Sequence, residues 1–249
     1  MELSFSHTNE EVDKLIDRLI TAAGGITHAH LVRELVISSL KIGQETTYLP
    51  DLKLINRTLR EMRYTTRVFS PYRNRKKVTV FGSARTKPEE PIYQTCIRFS
   101  RLLAEHNWMI ITGGGPGIMQ AGNEGAGSEN SFAVNIKLPF EQSANPVMQN
   151  TSRLVTYKYF FNRKVAFVKE ADAVAVFPGG FGTLDEAMEV ITLVQTGKTS
   201  PKPLVLVDDG DGFWEQFFEF VKEQLLAKGL ISGEDFSIFT ITKDEQEAA

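Results

Sequence analysis

The chain has 249 residues, 42% hydrophobic and 24% charged, enough for one large α/β domain and a small appendage. A net charge of −3 gives no general attraction to nucleic acid or to an anionic membrane surface. Cys96 is the single cysteine, which excludes an intrachain disulfide; with no membrane-length apolar run and no signal-peptide layout, a cytoplasmic protein is expected.

Residues 1–72 read as an N-terminal helical module. Thr8-Asn9-Glu10-Glu11 fits a capping box, and Val12, Leu15, Ile16, Leu19 and Ile20 then recur on one helical face until Gly24-Gly25. Residues 31–42 give a second helix. A third follows Pro50, with Leu52, Ile55, Leu59 and Met62 on one side. Arg57, Arg60, Arg63 and Arg67 form a basic stripe on it. The stripe reads either as a patch for a phosphorylated ligand or nucleic acid, or as a solvated face; the scarcity of interleaved aromatics favours the solvated face.

Residues 73–249 alternate between strand and helix patterns, which predicts an α/β fold: a Rossmann-like doubly wound parallel sheet. Strands are expected at 78–81, 108–112, 133–138, 153–157, 174–177, 203–207 and 238–241. Helices are expected at 92–105, 118–127, 159–170, 183–195 and 213–228. Cys96, in register with Ile92 and Phe99, reads as a small core residue. In the last long helix Phe217, Phe220, Val221 and Leu225 are the expected core contacts, and the tail from Lys243 is expected to fray.

Three loops follow strand ends: Gly82-Ser83-Ala84-Arg85, Gly113-Gly114-Gly115-Pro116-Gly117, and Pro178-Gly179-Gly180-Phe181-Gly182-Thr183. In an open parallel sheet ligands bind at that edge. Glycine lets backbone approach a ligand closely, and a strand–turn–helix start points amides at an anion. A phosphorylated ligand is therefore expected against Gly82, Ser83, Gly114, Gly115, Gly117, Pro178, Gly179, Gly180, Gly182 and Thr183, with Lys164 near the crevice. Neither glycine-rich loop is a Walker A or a GxGxxG sequence, which disfavours an ATPase or a nicotinamide dehydrogenase. Tight turns and close helix packing are the competing reading of these glycines.

Thr183-Leu184-Asp185-Glu186 is itself a capping box, in which Thr183 caps the helix and Glu186 reaches back. The same spacing would let a carboxylate in the first helical turn, held ionised by the dipole, face a ribose. Arg163 and Lys164 lie in an otherwise apolar and aromatic helix, either at its outer face or, for Arg163, in the crevice where its planar fork suits a phosphate or a purine edge. His7, His28, His30 and His106 are scattered and offer no metal-ligand set, Asp208-Asp209 reads as a polar turn, and nothing supports pyridoxal phosphate; no cofactor is expected.

PGGFGTLDE (178–186) resembles the PGGxGTxxE signature of the LOG ("Lonely guy") family, the cytokinin riboside 5′-monophosphate phosphoribohydrolases, often mislabelled lysine decarboxylases. Arg163-Lys164 and the 113–117 loop support the resemblance, which runs from about Lys77 to about Leu226. It implies hydrolysis of the N-glycosidic bond of a nucleoside 5′-monophosphate (AMP or a cytokinin riboside monophosphate) with Arg163 and Glu186 as the catalytic couple. It also implies a homodimer, with Met188, Ile191, Leu193 and Val194 near the contact. Nucleic acid and membrane are not expected partners. A second reading is a non-catalytic carrier or sensor of a phosphorylated ligand, as in the similarly folded molybdenum-cofactor carriers. Two departures, Asn162 where many relatives have glutamate and Phe181 where tyrosine is common, bear on base selectivity.

Overall fold

The computed structural model describes residues 8–137, 143–208 and 210–249. His7, Leu138 at the expected end of the third strand, and Asp209 lie outside the described residues. Two compact units are found, one ending at Arg60 and the other beginning at Glu61.

In the first unit α1 (Glu10–Ala23) packs on α2 (Ala29–Glu45), with Ile16 and Ile37 buried. Arg33 of α2 reaches Asp13 at 3.1 Å and Asp17 at 3.0 Å. The helix start differs from expectation. Asn9 is the N-cap, its Oδ1 accepting from the Val12 amide at 2.9 Å, while Thr8 bonds to Asp13. With the cap one residue later, Val12 takes the N3 place and no box with Glu11 can form.

The unit boundary falls inside α3 (Leu49–Phe69). Of the expected apolar face, Ile55 and Leu59 are exposed; the buried residues of α3 are Glu61, Thr65 and Phe69. Phe69 stacks on Phe132 with ring centroids 4.2 Å apart. Arg60, Arg63 and Arg67 of the basic stripe are exposed and Arg57 is half-buried.

The strands of the second unit are β1 (Lys77–Phe81), β2 (Met109–Thr112), β3 (Ser131–Ile136), β4 (Leu154–Tyr157), β5 (Ala173–Val176), β6 (Leu204–Val207) and β7 (Thr240–Thr242). Among the described residues these seven make one parallel sheet in the order β4-β3-β2-β1-β5-β6-β7. β1 pairs Val78 with Ile110 of β2 on one side and with Ala173 of β5 on the other. The chain therefore steps outward from β1 in one direction, returns, and steps outward in the other. This is the doubly wound Rossmann-like arrangement that the alternating pattern predicts.

Both faces are covered, so the strands are almost continuously apolar. On one face Phe81, Ile111, Val134, Val174 and Leu206 pack with α6 (Phe160–Glu170), α7 (Phe181–Gln195) and α8 (Phe213–Val221). On the other, Val78, Val80, Ile110 and Ala175 pack with α4 (Pro91–Glu105) and α5 (Ile118–Ala126). Cys96 is fully buried in that second layer. In α8 Phe220 is 57% exposed, against expectation, and Trp214 is fully buried instead. The helix begins at Phe213, which turns Trp214, Phe218 and Val221 inward. The tail is likewise not frayed: Asp244 caps α9 (Glu245–Ala248), Glu245 pairs with Arg98, and Ala248 packs on the second layer.

Candidate active site

β1 and β5 are the adjacent strands from which the chain departs in opposite directions, and a crevice opens beyond their C-terminal ends. The loops after β1, β2 and β5 meet there. The Ser83 amide donates to the Pro178 carbonyl at 3.0 Å, and the Ser83 carbonyl accepts from the Ile118 amide at 2.9 Å. Close approach is what the glycines permit. A side-chain carbon at Gly179 would stand 2.2 Å from Thr183 Oγ1 and 2.9 Å from the Ser83 amide. One at Gly117, which has φ +67°, would stand 2.2 Å from the Ser83 carbonyl oxygen. The loop after β2 is held from behind. Asn145 donates its amide to Gly114 O at 2.7 Å and its Nδ2 to Gly115 O at 3.1 Å and to Asn123 Oδ1 at 2.9 Å. Thr112 completes the set, donating to Asn123 at 2.8 Å and accepting from the Gly114 amide at 3.0 Å.

The result is an open hollow of about 820 Å³. Of the residues predicted from sequence, Gly82, Ser83, Gly115, Arg163, Gly179, Gly180, Gly182, Thr183 and Glu186 line it. Gly114, Gly117 and Pro178 do not; they shape the loops that do. Lys164 is also turned away from the hollow. Its Nζ lies 2.9 Å from both Asp185 and Glu189 and 4.0 Å from Glu186, so it braces α7. Met119, Asn135, Phe160 and Phe213 line the hollow without having been singled out by the sequence; Arg85 and Phe181 of the named loops line it too, as does Phe217, expected in the core. The aromatics come from three helices far apart in the chain, and a helical periodicity alone does not separate a pocket wall from a core face.

The expected capping box at Thr183 is not formed. α7 begins at Phe181 with Gly180 as its extended N-cap, so Thr183 is the third helical residue and Glu186 the sixth. Glu186 is therefore in the second turn, where the dipole holds a charge less well and burial dominates. Its carboxyl is 7% exposed. Desolvation pushes its pKa up to about 7, against the pull of Lys164 and Arg163. The expectation of a carboxylate held ionised by the dipole is thus corrected: near neutral pH Glu186 exchanges its proton readily.

Arg163 stands opposite. Its guanidinium carbon lies 5.0 Å from the Phe167 ring centroid and 6.0 Å from that of Phe160. A side-chain carbon at Gly113 would come within 2.8 Å of its Nη2, so the cation sits directly over the loop after β2. The hollow therefore has a backbone-lined floor, a cation, a carboxyl poised near neutrality, and an aromatic wall. Such a set suits a ligand with an anionic end, a hydroxylated middle and a flat apolar end.

A protein-family profile described as "Possible lysine decarboxylase" matches residues 119–249. The cytokinin riboside 5′-monophosphate phosphoribohydrolase LOG7 of Arabidopsis thaliana is 30% identical over 164 residues, covering 63% of this chain and 71% of that protein. The enzyme LOG of Oryza sativa subsp. japonica is 31% identical over 157 residues, covering 61% of each, so the chain spans about three-fifths of that relative. The crystal structure of TM1055 shares the fold, with 22% identity, a TM-score of 0.50, and coverage of 70% of this chain and 95% of that one. The motif at 178–186, the parallel sheet that presents it, and these relatives together place the chain in the LOG family.

Proposed function

We propose that the protein hydrolyses the N-glycosidic bond of a nucleoside 5′-monophosphate, releasing the free base and ribose 5-phosphate. The observation that carries this reading is Glu186: a buried carboxyl with a pKa of about 7, lining the same hollow as Arg163 and the glycine loops.

The Phe181 and Gly182 amides of α7 precede its first bonded amide, Thr183 to the Gly180 carbonyl, and, with Ser83, the Thr183 hydroxyl and the loop after β2, receive the 5′-phosphate. Arg85 at the rim adds a positive charge. Seating the phosphate there places the ribose over Glu186. Ionised, Glu186 orients the ribose hydroxyls and offsets the positive charge that develops at the anomeric carbon as its bond to the base breaks. It also takes a proton from the water whose oxygen forms the new bond. Arg163 donates hydrogen bonds to the departing base, which collects the proton that Glu186 took from the water and leaves as the neutral free base along the wall of Phe160, Phe213 and Phe217. The substrate for which these relatives are named, cytokinin riboside 5′-monophosphate, has the flat, apolar-substituted base that such a wall accepts.

The test is incubation with AMP and with isopentenyl-AMP, following free base by chromatography. Base release from at least one nucleotide, reduced about a hundredfold or more in Glu186→Gln with the fold retained, is expected. Absence of release from every nucleotide by folded protein, with binding intact, would leave a carrier instead.

A further inference from the structure

We infer that Glu61, at the end of α3 that packs in the sheet-bearing unit, is a positioning residue for this site: it fastens the first turn of α6 and so sets where Arg163 stands. The inference rests on the hydrolase reading for the role of Arg163.

α6 starts without a local cap. Tyr159 occupies the N-cap position and makes no side-chain cap bond. The helix start is braced instead by Glu61, which is only 5% exposed. Its Oε1 accepts from the Lys158 amide at 2.9 Å and its Oε2 accepts from Asn162 Nδ2 at 2.8 Å. It thus spans the residue before the N-cap and the third helical residue, with its charge at the positive end of the helix. One turn along α3, Thr65 donates to the Glu61 carbonyl at 2.8 Å and shares a short hydrogen bond with the Tyr157 hydroxyl. Glu61 therefore grips residues 158 and 162 at the start of α6, while Thr65 holds only Tyr157 at the end of β4.

Asn162 is 2% exposed and immediately precedes Arg163. The Arg163 guanidinium is placed by the pitch of that first turn, over the Phe167 ring and the Gly113 backbone. Loss of the acceptor for the Asn162 amide lets the turn unwind or rotate. A misplacement of a reacting group by about 1 Å costs on the order of a hundredfold in rate. Glu61 is not among the residues that line the hollow, so its effect on the site is expected to pass through α6 and Arg163.

The test compares Glu61→Ala, Glu61→Gln, Asn162→Ala and Thr65→Ala, reading kcat and KM for AMP, the melting temperature, and the NMR resonance of the Arg163 Nε–H. Glu61→Ala and Asn162→Ala are expected to lower kcat about tenfold and to shift that resonance. Gln retains both bonds once the Asn162 amide turns round, and restores most of kcat. Thr65→Ala lowers the melting temperature comparably while leaving kcat and the resonance near wild type. In an Arg163→Ala background, Glu61→Ala costs less than twofold. The proposal is overturned if kcat tracks melting temperature across all four variants, if Glu61→Ala costs the same in both backgrounds, or if the Arg163 resonance does not move. Where Glu61→Ala does not fold, Asn162→Ala carries the same comparison. The resonance decides the point even if the wild type cleaves no nucleotide, an outcome that removes the hydrolase reading by itself.

Discussion

Ser83 donates its amide to the carbonyl of Pro178 at 3.0 Å across the gap between β1 and β5. Through its own carbonyl it also receives the first amide of α5 at 2.9 Å. One residue thus links the three loops that make the hollow, and Gly179 is one of the positions where they crowd. Gly179→Ala would drive a methyl to within 2.2 Å of Thr183 Oγ1. The expected outcome is a loss of about 1–3 kcal/mol of stability and at least a tenfold weaker affinity for AMP. Thermal unfolding and calorimetric titration check both; an unchanged affinity would show that the loops do not hold the phosphate.

Glu186 sets the pH dependence. With a pKa raised to about 7, its working ionised form accumulates above that pH. kcat/KM should therefore rise about tenfold per pH unit below 7 and level off above it. Stability runs the other way. The unfolded carboxyl titrates near 4.5, so between 4.5 and about 7 the folded state holds the extra proton, and stability falls as pH rises through that window. Glu186→Gln removes this penalty and should melt at a higher temperature than wild type at pH 8, by an amount equivalent to about 3 kcal/mol at most. A flat rate profile from pH 5 to 8, or a destabilised Gln variant at pH 8, contradicts the assignment.

How far these features could be read from the chain depends on the range over which each is specified. The strand–glycine–helix run at 173–186 is local: β5, the bend and α7 follow from β-branched residues, Gly179 and Gly180, and helix formers in sequence. Its cap lies three residues before the one the motif suggests: Thr183 looks like a cap, whereas extended Gly180 already leads into the helix and Phe181 and Gly182 open its first turn. The Asn145–Asn123 and Glu61–Asn162 bonds join residues 22 and 101 positions apart, and no spacing rule marks such polar pairs. The direction of Lys164, toward Asp185 and Glu189, likewise depends on how α6 meets α7.

Lys164 is the nearer test of that packing. Its cation lies 4.0 Å from Glu186 and lowers the carboxyl's pKa, opposing burial. Lys164→Met keeps the stem and removes the charge. Without it, the Glu186 pKa should rise further, moving the rising limb of the rate profile to higher pH while the plateau stays within about threefold of wild type. Rate profiles of the two proteins check this directly. A limb that stays in place, or moves to lower pH, would show that Lys164 acts on the site by some other route.

Asn145 holds the loop after β2 through three donated hydrogen bonds, to Gly114, Gly115 and Asn123. It is 5% exposed. Asn145→Ala keeps the backbone bond to Gly114 but strips a buried carbonyl and a buried amide oxygen of their shared donor, a loss of about 1–3 kcal/mol. Because Gly115 lines the hollow and Asn145 does not, the damage should reach the substrate only through the loop's position. KM for AMP should rise about tenfold or more while kcat at saturation falls less, since the carboxyl of Glu186 is carried by a different helix. Steady-state kinetics separate the two constants. A fall in kcat alone would mean that the loop after β2 serves the bond-breaking step and not the seating of the phosphate.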